Sequence, residues 1–338
     1  MKTVRIFLFL LFFLSPAALR AEATRVSSLL VEAETGRILF SENAAEKRYP
    51  ASLTKMMTLY LIFDALEKGE IRMDQLLTVS KKAARQPRSR MGLKENSTIS
   101  VENIIFALIS RSANDAAVVA AEGLAGSEAQ FADKMTRTAR ELGMKNTRFK
   151  NASGLHNKDQ VTTAQDMAIL SRALIRHFPE YYKLFSVRGF RYGKRYYGNH
   201  NLVARFYKGG DGLKTGYVDA SGYHVVGSAI RDGKRLIGVV MGRNSVRERD
   251  RHIFRLLDSG FAALKNKSPA IDTLTTPFFA PMKEEKTGST ETEYREMRIA
   301  AQKLSESLDR ISSIEQSLQT EQNENVVKHA IIDWGKNR

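Results

Sequence analysis

An α+β domain, with one antiparallel sheet flanked by helices and a helical subdomain, is the fold class this sequence predicts. Three observations carry it: strand-like segments near the start, a run of helical segments in the middle, and strand-like segments again before a closing helix. Grouped helices between two sets of strands, rather than strict alternation, require a sheet completed by segments distant in the chain.

Each element has a local reason. Residues 26–34 and 37–41 read as two short strands around the turn Thr35-Gly36. Tyr49-Pro50-Ala51 introduces an apolar helix over 52–66, closed by Lys68-Gly69. Ser100 starts a helix over 101–110 with Glu102 in its first turn, and an alanine-rich helix over 112–125 ends at Gly126. Two more run over 131–142, closed by Gly143, and 163–177, followed by Pro179. From Gly209 the pattern returns to strands over 212–218, 223–230 and 235–241, the last two joined by the hairpin dipeptide Asp232-Gly233. A helix over 247–264 follows, with Ile253, Phe254, Leu257 and Phe261 on one side.

The flanks differ from the domain. Lys2 and Arg5 precede an apolar run over 6–14 and a small-residue stretch, so residues 1–23 read as a secretory signal, the run being far short of the roughly 20 residues of a spanning helix. An uncleaved anchor is the alternative. The mature protein is then exported, to a periplasm or cell envelope, with its domain over 24–265. Residues 266–290 read as a linker and 291–338 as a helical or disordered tail. In the tail, Met297, Ala301, Leu304, Leu308, Ile311 and Leu318 form a narrow seam over 297–318, open to self-association, to packing back on the domain, or to disorder. Val327, Ile331 and Trp334 share a face suited to peripheral membrane contact, or to a frayed terminus.

Composition excludes whole classes of chemistry. The chain has 338 residues and no cysteine, which removes cysteine peptidases, thiolate zinc sites and disulfides. Its six histidines are scattered without H-E-x-x-H spacing, so neither a metal nor another cofactor is expected. A net charge of +16, concentrated over 81–94, 188–208 and 231–255, suggests an anionic partner. Export argues against nucleic acid and for acidic wall polymer, peptide carboxylates or lipid headgroups; a merely soluble basic surface is the plain alternative.

Three short strings fall in one order: Ser52-Leu53-Thr54-Lys55, Ser112-Ala113-Asn114 and Lys214-Thr215-Gly216. They read S-x-x-K, S-x-N and K-T-G, the signature of penicillin-recognising serine enzymes. Ser41-Glu42-Asn43 and Lys286-Thr287-Gly288 match two of the patterns out of context and are decoys. Ser52 and Lys55, three positions apart at a helix start, share one face. A serine hydroxyl needs a neighbour to take its proton, and burial plus a second cation, for which Lys214 is the candidate, push a lysine towards the neutral amine. Taken alone, Ser52 would be an N-cap before a solvent-facing lysine, Ser112 and Asn114 would be caps, and 214–216 would be a polar edge strand. Their common order in one exported chain outweighs those separate readings.

The chain resembles the low-molecular-weight penicillin-binding proteins of the D-alanyl-D-alanine carboxypeptidase family, peptidase family S11. Tyr49-Pro50-Ala51, Ser112 through Ala117, Phe149 through Leu155, Thr163-Ala164 before Asp166-Met167-Ala168, and Gly212 through Tyr217 extend the likeness over residues 26–264. The resemblance implies that Ser52 is acylated by the penultimate D-alanine of a peptidoglycan stem peptide, with Lys55 as base. It implies a proton and polar network of Ser112, Asn114 and Lys214, and an oxyanion between the backbone amides of Ser52 and Tyr217. Thr215 and Arg249 would hold the substrate carboxylate, Gly216 would leave room for its backbone, and β-lactam antibiotics would acylate the same serine. Ala113 replaces a glycine often found there, and the second, β-rich domain and anchor of many members are not recognisable after residue 265. An endopeptidase acting on D-alanyl crosslinks is the near alternative. A β-lactamase is disfavoured because no Leu-Asn pair occurs anywhere in the chain, and a non-catalytic wall-binding protein because no motif residue is missing.

Overall fold

Residues 26–265 are described by a computed structural model; the signal, the linker, the 297–318 seam and the tail face lie outside the described residues. The domain begins with β1 (Ser27–Glu32) and β2 (Ile38–Glu42), antiparallel across a turn in which Gly36 has φ 77° and the Thr35 hydroxyl donates to the Glu32 carboxylate at 2.6 Å. A single 3-10 turn (Ala51–Thr54) leads into α1 (Lys55–Glu67). That helix is apolar on nearly every side because it runs through the core, so it shows no one-sided stripe.

A small hairpin of β3 (Leu76–Thr78) and β4 (Thr98–Ser100) encloses α2 (Lys81–Ala84) and the segment after it. The Ser100 hydroxyl accepts the Asn103 amide at 3.2 Å and starts α3 (Val101–Phe106), as its sequence position predicts. The backbone then widens into a π turn (Ala107–Arg111), and Ser112 follows in the left-handed region at φ 59°, ψ 40°. The expectation of a helix over 112–125 is corrected here: α4 is Asn114–Ala125, its N-cap is Ala113, and the Ser112 side chain, a cap only when taken alone, makes no capping hydrogen bond. A non-glycine residue held in this conformation carries about 1–3 kcal/mol of strain, a pattern that clusters at functional sites.

Next come α5 (Glu128–Glu141), capped by Ser127, and α6 (Ala164–His177), capped by Thr163. After α7 (Pro179–Tyr182), a hairpin of β5 (Gly189–Tyr192) and β6 (Arg195–Gly198) packs Phe190 against Phe106, with ring centroids 5.9 Å apart. The short α8 (Leu202–Phe206) precedes β7 (Gly210–Val218), β8 (Gly222–Arg231) and β9 (Lys234–Arg243). Asp232 and Gly233, at φ 50° and 71°, make the tight turn expected between the last two strands. The domain closes with α9 (Val246–Lys265).

The principal sheet runs β2-β1-β9-β8-β7, all antiparallel, so both ends of the chain build it and β7 is an edge strand. Alternation along the strands divides the core. Leu30, Val225 and Val240 face α9, whereas Leu29, Val226 and Val239 face the helical side. Gly260 lets α9 lie close to the sheet, since a Cβ there would come within 2.4 Å of Leu30 Cδ2. Ile253 of that helix is fully buried, worth roughly 1.5–3 kcal/mol.

Candidate active site

Ser52 sits in the 3-10 turn ahead of α1, partly exposed, while Lys55 begins the helix and is wholly buried. The turn is gripped from two sides. A Cβ on Gly154 would lie 1.8 Å from the Ala51 carbonyl oxygen, so only glycine fits where the 151–155 loop crosses. A Cβ on Gly216 would lie 3.1 Å from the Ser52 amide nitrogen and 3.3 Å from that of Leu53, so β7 passes alongside the serine backbone.

The Lys55 Nζ lies 3.3 Å from Ser52 Oγ, 2.8 Å from Asn114 Oδ1 and 2.5 Å from the Ser153 carbonyl oxygen. Burial first, and the charge of Lys214 second, hold the Lys55 amine well below its ordinary pKa, against an opposing pull from Asp115. A neutral amine has two N–H groups and one lone pair. With the two hydrogens given to Asn114 and Ser153, the lone pair is left for the Ser52 proton. The Asn114 amide is oriented for this, because its Nδ2 donates to the Pro87 carbonyl at 3.1 Å and leaves Oδ1 for the lysine. Asp115 fixes the same segment by accepting the amides of Met91, Gly92 and Leu93 at 2.8–3.1 Å.

Lys214, on β7, is also buried; its Nζ donates to the Thr215 carbonyl at 3.1 Å. Burial, then the nearby Arg249 charge, lower its pKa to about 7. It therefore reaches Lys55 through its field, with no hydrogen bond between the two. Ser112 Oγ is buried and has no hydrogen-bond partner, which leaves a hydroxyl ready to take one. Thr215 is buried beside Lys214, whereas Tyr217 is exposed, its ring tilted 32° against that of Tyr223 with centroids 4.2 Å apart and its hydroxyl donated to Asp219. Arg249 is buried and already paired with Asp250 (Nη2 to Oδ1, 2.7 Å), though its charge is felt at Lys214.

The geometry thus brings Ser52, Lys55 and Asn114 into direct contact. Lys214 and Arg249 join through charge and Gly216 through close approach, while Ser112 is not hydrogen-bonded to any of them. Two participants escape sequence reasoning. The Ser153 carbonyl is a backbone atom, signalled only by the Asn151-Ala152-Ser153-Gly154 string in which it falls. His200, an exposed residue, lies within electrostatic reach of Lys214, Arg111, Arg249 and Arg205; desolvation and then those cations lower its pKa, and no sequence pattern marks it.

A serine beside a buried lysine, at the edge of an antiparallel sheet under helices, defines the serine–lysine class of scaffold. The chain belongs to the D-alanyl-D-alanine carboxypeptidase family, peptidase family S11, whose model matches residues 15–245. It is 36% identical over 241 residues to the D-alanyl-D-alanine carboxypeptidase DacF of Bacillus subtilis, an alignment covering 70% of this chain and 62% of that protein. The chain thus spans less than two thirds of that relative's length. Among solved structures it is similar to penicillin binding protein 5 from Haemophilus influenzae, with a TM-score of 0.68, 36% identity, and 71% of this chain and 72% of that one covered. It is also similar to Penicillin-Binding Protein D2 from Listeria monocytogenes in the cefotaxime-bound form, with a TM-score of 0.64, 32% identity, and 70% and 96% covered.

Proposed function

We propose that this protein is a serine-type D-Ala-D-Ala carboxypeptidase of the cell envelope, removing the terminal D-alanine from peptidoglycan stem pentapeptides. The observation that carries the proposal is the wholly buried Lys55 amine, 3.3 Å from Ser52 Oγ, with its other two directions occupied by acceptors. Ser52 Oγ attacks the penultimate D-alanine carbonyl as its proton passes to Lys55 Nζ. The resulting oxyanion is stabilised by the Ser52 and Tyr217 backbone amides. On collapse the C–N bond breaks, the proton passes to the departing amine by way of Ser112 and Lys214, and D-alanine leaves. Water then attacks the ester, giving up its proton to neutral Lys55, and frees Ser52 with the shortened peptide.

Substrate positioning follows the same logic. An extended peptide pairs with the free edge of β7, next to Gly216, and its terminal carboxylate meets Thr215 and the field of Lys214 and Arg249. The Asn114 amide, besides orienting Lys55, binds the substrate backbone. A β-lactam presents a strained amide to the same hydroxyl and leaves a long-lived ester, an expectation supported by the cefotaxime-bound form of the Listeria relative. Mass analysis of products from a stem pentapeptide and from a crosslinked muropeptide tests the reading. Release of free D-alanine from the pentapeptide is the expected result. Cleavage of the crosslink alone would make this an endopeptidase, rapid turnover of penicillin a β-lactamase, and binding without any product a wall-binding protein.

A further inference from the structure

Away from the catalytic turn, three segments of chain close around a concavity of ≈ 320 Å³. Its rim carries Lys47, Arg140, Lys145, Arg148 and Lys158, with Asp159 as the one carboxylate among them. No residue of this rim belongs to the candidate active site. The basic stretches visible in the sequence, over 81–94, 188–208 and 231–255, do not include these residues either; folding brings Lys47 and Lys158 to the local group Arg140, Lys145 and Arg148.

The floor is rigid. Residues 161 and 162 lie between two neighbours, with Arg148 and Val161 exchanging amide hydrogen bonds at 2.9 and 3.1 Å, and Arg48 and Thr162 at 2.8 and 2.9 Å. Arg140 is fixed at one wall, its Nη1 donating to the Met144 carbonyl at 2.9 Å and to that of Lys145. Beneath the floor Asp166 is engaged by the Asn146 amide at 2.8 Å and the Thr147 hydroxyl at 2.6 Å. Among the described residues, none of the five cations, nor Asp159, forms an ion pair within 4.0 Å.

Five cations around one hollow repel one another, and a concave wall of one sign focuses its field on whatever anion enters. Asp159 on the rim and Asp166 beneath the floor, which feels the Arg140 charge, offset part of that charge and leave the cations in excess. A phosphate group brings up to two charges and several acceptor oxygens, which suit the planar forks of Arg140 and Arg148 with the three lysines as point charges. We propose that this pocket binds phosphate groups, as a second site separate from the catalytic one and independent of the activity assigned there. A phospholipid headgroup and a free or polymer-borne phosphate share that chemistry.

Amide NMR of the purified chain titrated with inorganic phosphate tests the site directly. Saturable shifts confined to residues 145–148 and 158–161, weakening as salt is raised, are expected. The folded double variant Arg148→Gln/Lys158→Gln should bind at least tenfold more weakly, a loss of about 1.4 kcal/mol or more. Should that variant fail to melt cooperatively, Lys47→Gln/Lys145→Gln, which changes two exposed lysines, takes its place. Sedimentation with phosphatidylcholine vesicles, with and without phosphatidylglycerol, separates the sources. Retention that needs phosphatidylglycerol and is lost in the double variant identifies a headgroup, and saturation by inorganic phosphate without retention identifies a soluble or polymer-borne group. No saturable shift at these amides, or equal affinity in the folded variants, would overturn the proposal.

Discussion

Ser52 beside Lys55 and Ser28 beside His252 are two serine–base pairs in one molecule, and their surroundings set them apart. Ser28 Oγ lies 3.4 Å from His252 Nε2, close to the 3.3 Å that separates Ser52 Oγ from Lys55 Nζ. Burial lowers the His252 pKa to about 4, helped by Arg243 and Arg255, so both bases are held towards their neutral forms. The difference lies in where the lone pair points. Arg243 donates to His252 Nδ1 at 2.9 Å, so the ring proton sits on Nε2 and the imidazole donates to Ser28 rather than accepting from it. Around Lys55 the fixed neighbours are acceptors, Asn114 Oδ1 and the Ser153 carbonyl, and they leave the lone pair facing the serine. Access differs as well. Ser28 is fully buried in β1, between β2 and β9, whereas Ser52 is partly exposed in its turn beside an edge strand. Proximity of a base is thus insufficient; the sign of its hydrogen-bond partners and an open path decide.

Loss of the Ser52 hydroxyl should matter most. Ser52→Ala should abolish labelling by fluorescent penicillin while thermal melting stays close to that of the parent, because the side chain lost is small and partly exposed. Persistent labelling would mean that another hydroxyl carries the chemistry. Next in size, Lys55→Ala should slow acylation by about 10²–10⁴, the usual worth of a positioned base, and stopped-flow acylation rates within severalfold of the parent would remove Lys55 from that role.

Much of this contrast is legible in the sequence, and the rest is hidden for physical reasons. The three-residue spacing of Ser52 and Lys55 at a helix start places them on one face, and the hairpin dipeptide at Asp232-Gly233 sets the order of β8 and β9. What periodicity does not reveal are the hairpins β3–β4 and β5–β6, whose strands of three or four residues are too short for alternation to register. Ser112 resists too, since a serine ahead of an alanine-rich helix reads as a cap, while the π turn before it throws the backbone into the left-handed region. The lysine's second acceptor is the carbonyl of Ser153, an atom every residue possesses. The Ser28–His252 contact spans 224 positions, so no local spacing marks it as the three-residue step marks Ser52 and Lys55.

The field of Lys214 at Lys55 should show itself in the pH profile, with a lesser loss of rate. As the base proposed above, Lys55 would act only as the free amine, so acylation should rise with pH through its pKa. The Lys214 charge lowers that pKa; Lys214→Gln removes the charge, the Lys55 pKa rises, and the rising limb of the acylation profile moves to higher pH. A limb that stays in place, even with a reduced plateau, would show that Lys214 serves the substrate and not the base.

The smallest effect is expected at the unproductive pair. His252→Asn retains an oxygen able to accept from Arg243 and removes only the 3.4 Å contact to Ser28, a weak bond whose loss costs about 1 kcal/mol or less. Ser28→Ala removes the same contact from the other side. Because the two changes delete one interaction, their effects on denaturant midpoints should be non-additive, the double variant losing little more than either single one. Penicillin acylation rates should match the parent in all three, since the hydrogen bonds of this pair run to Arg243 and not to the Ser52 turn. A variant here that slowed acylation without lowering stability would show that α9 acts on the cleft through more than the Arg249 charge, and the two serine–base pairs would then have to be treated as parts of one system.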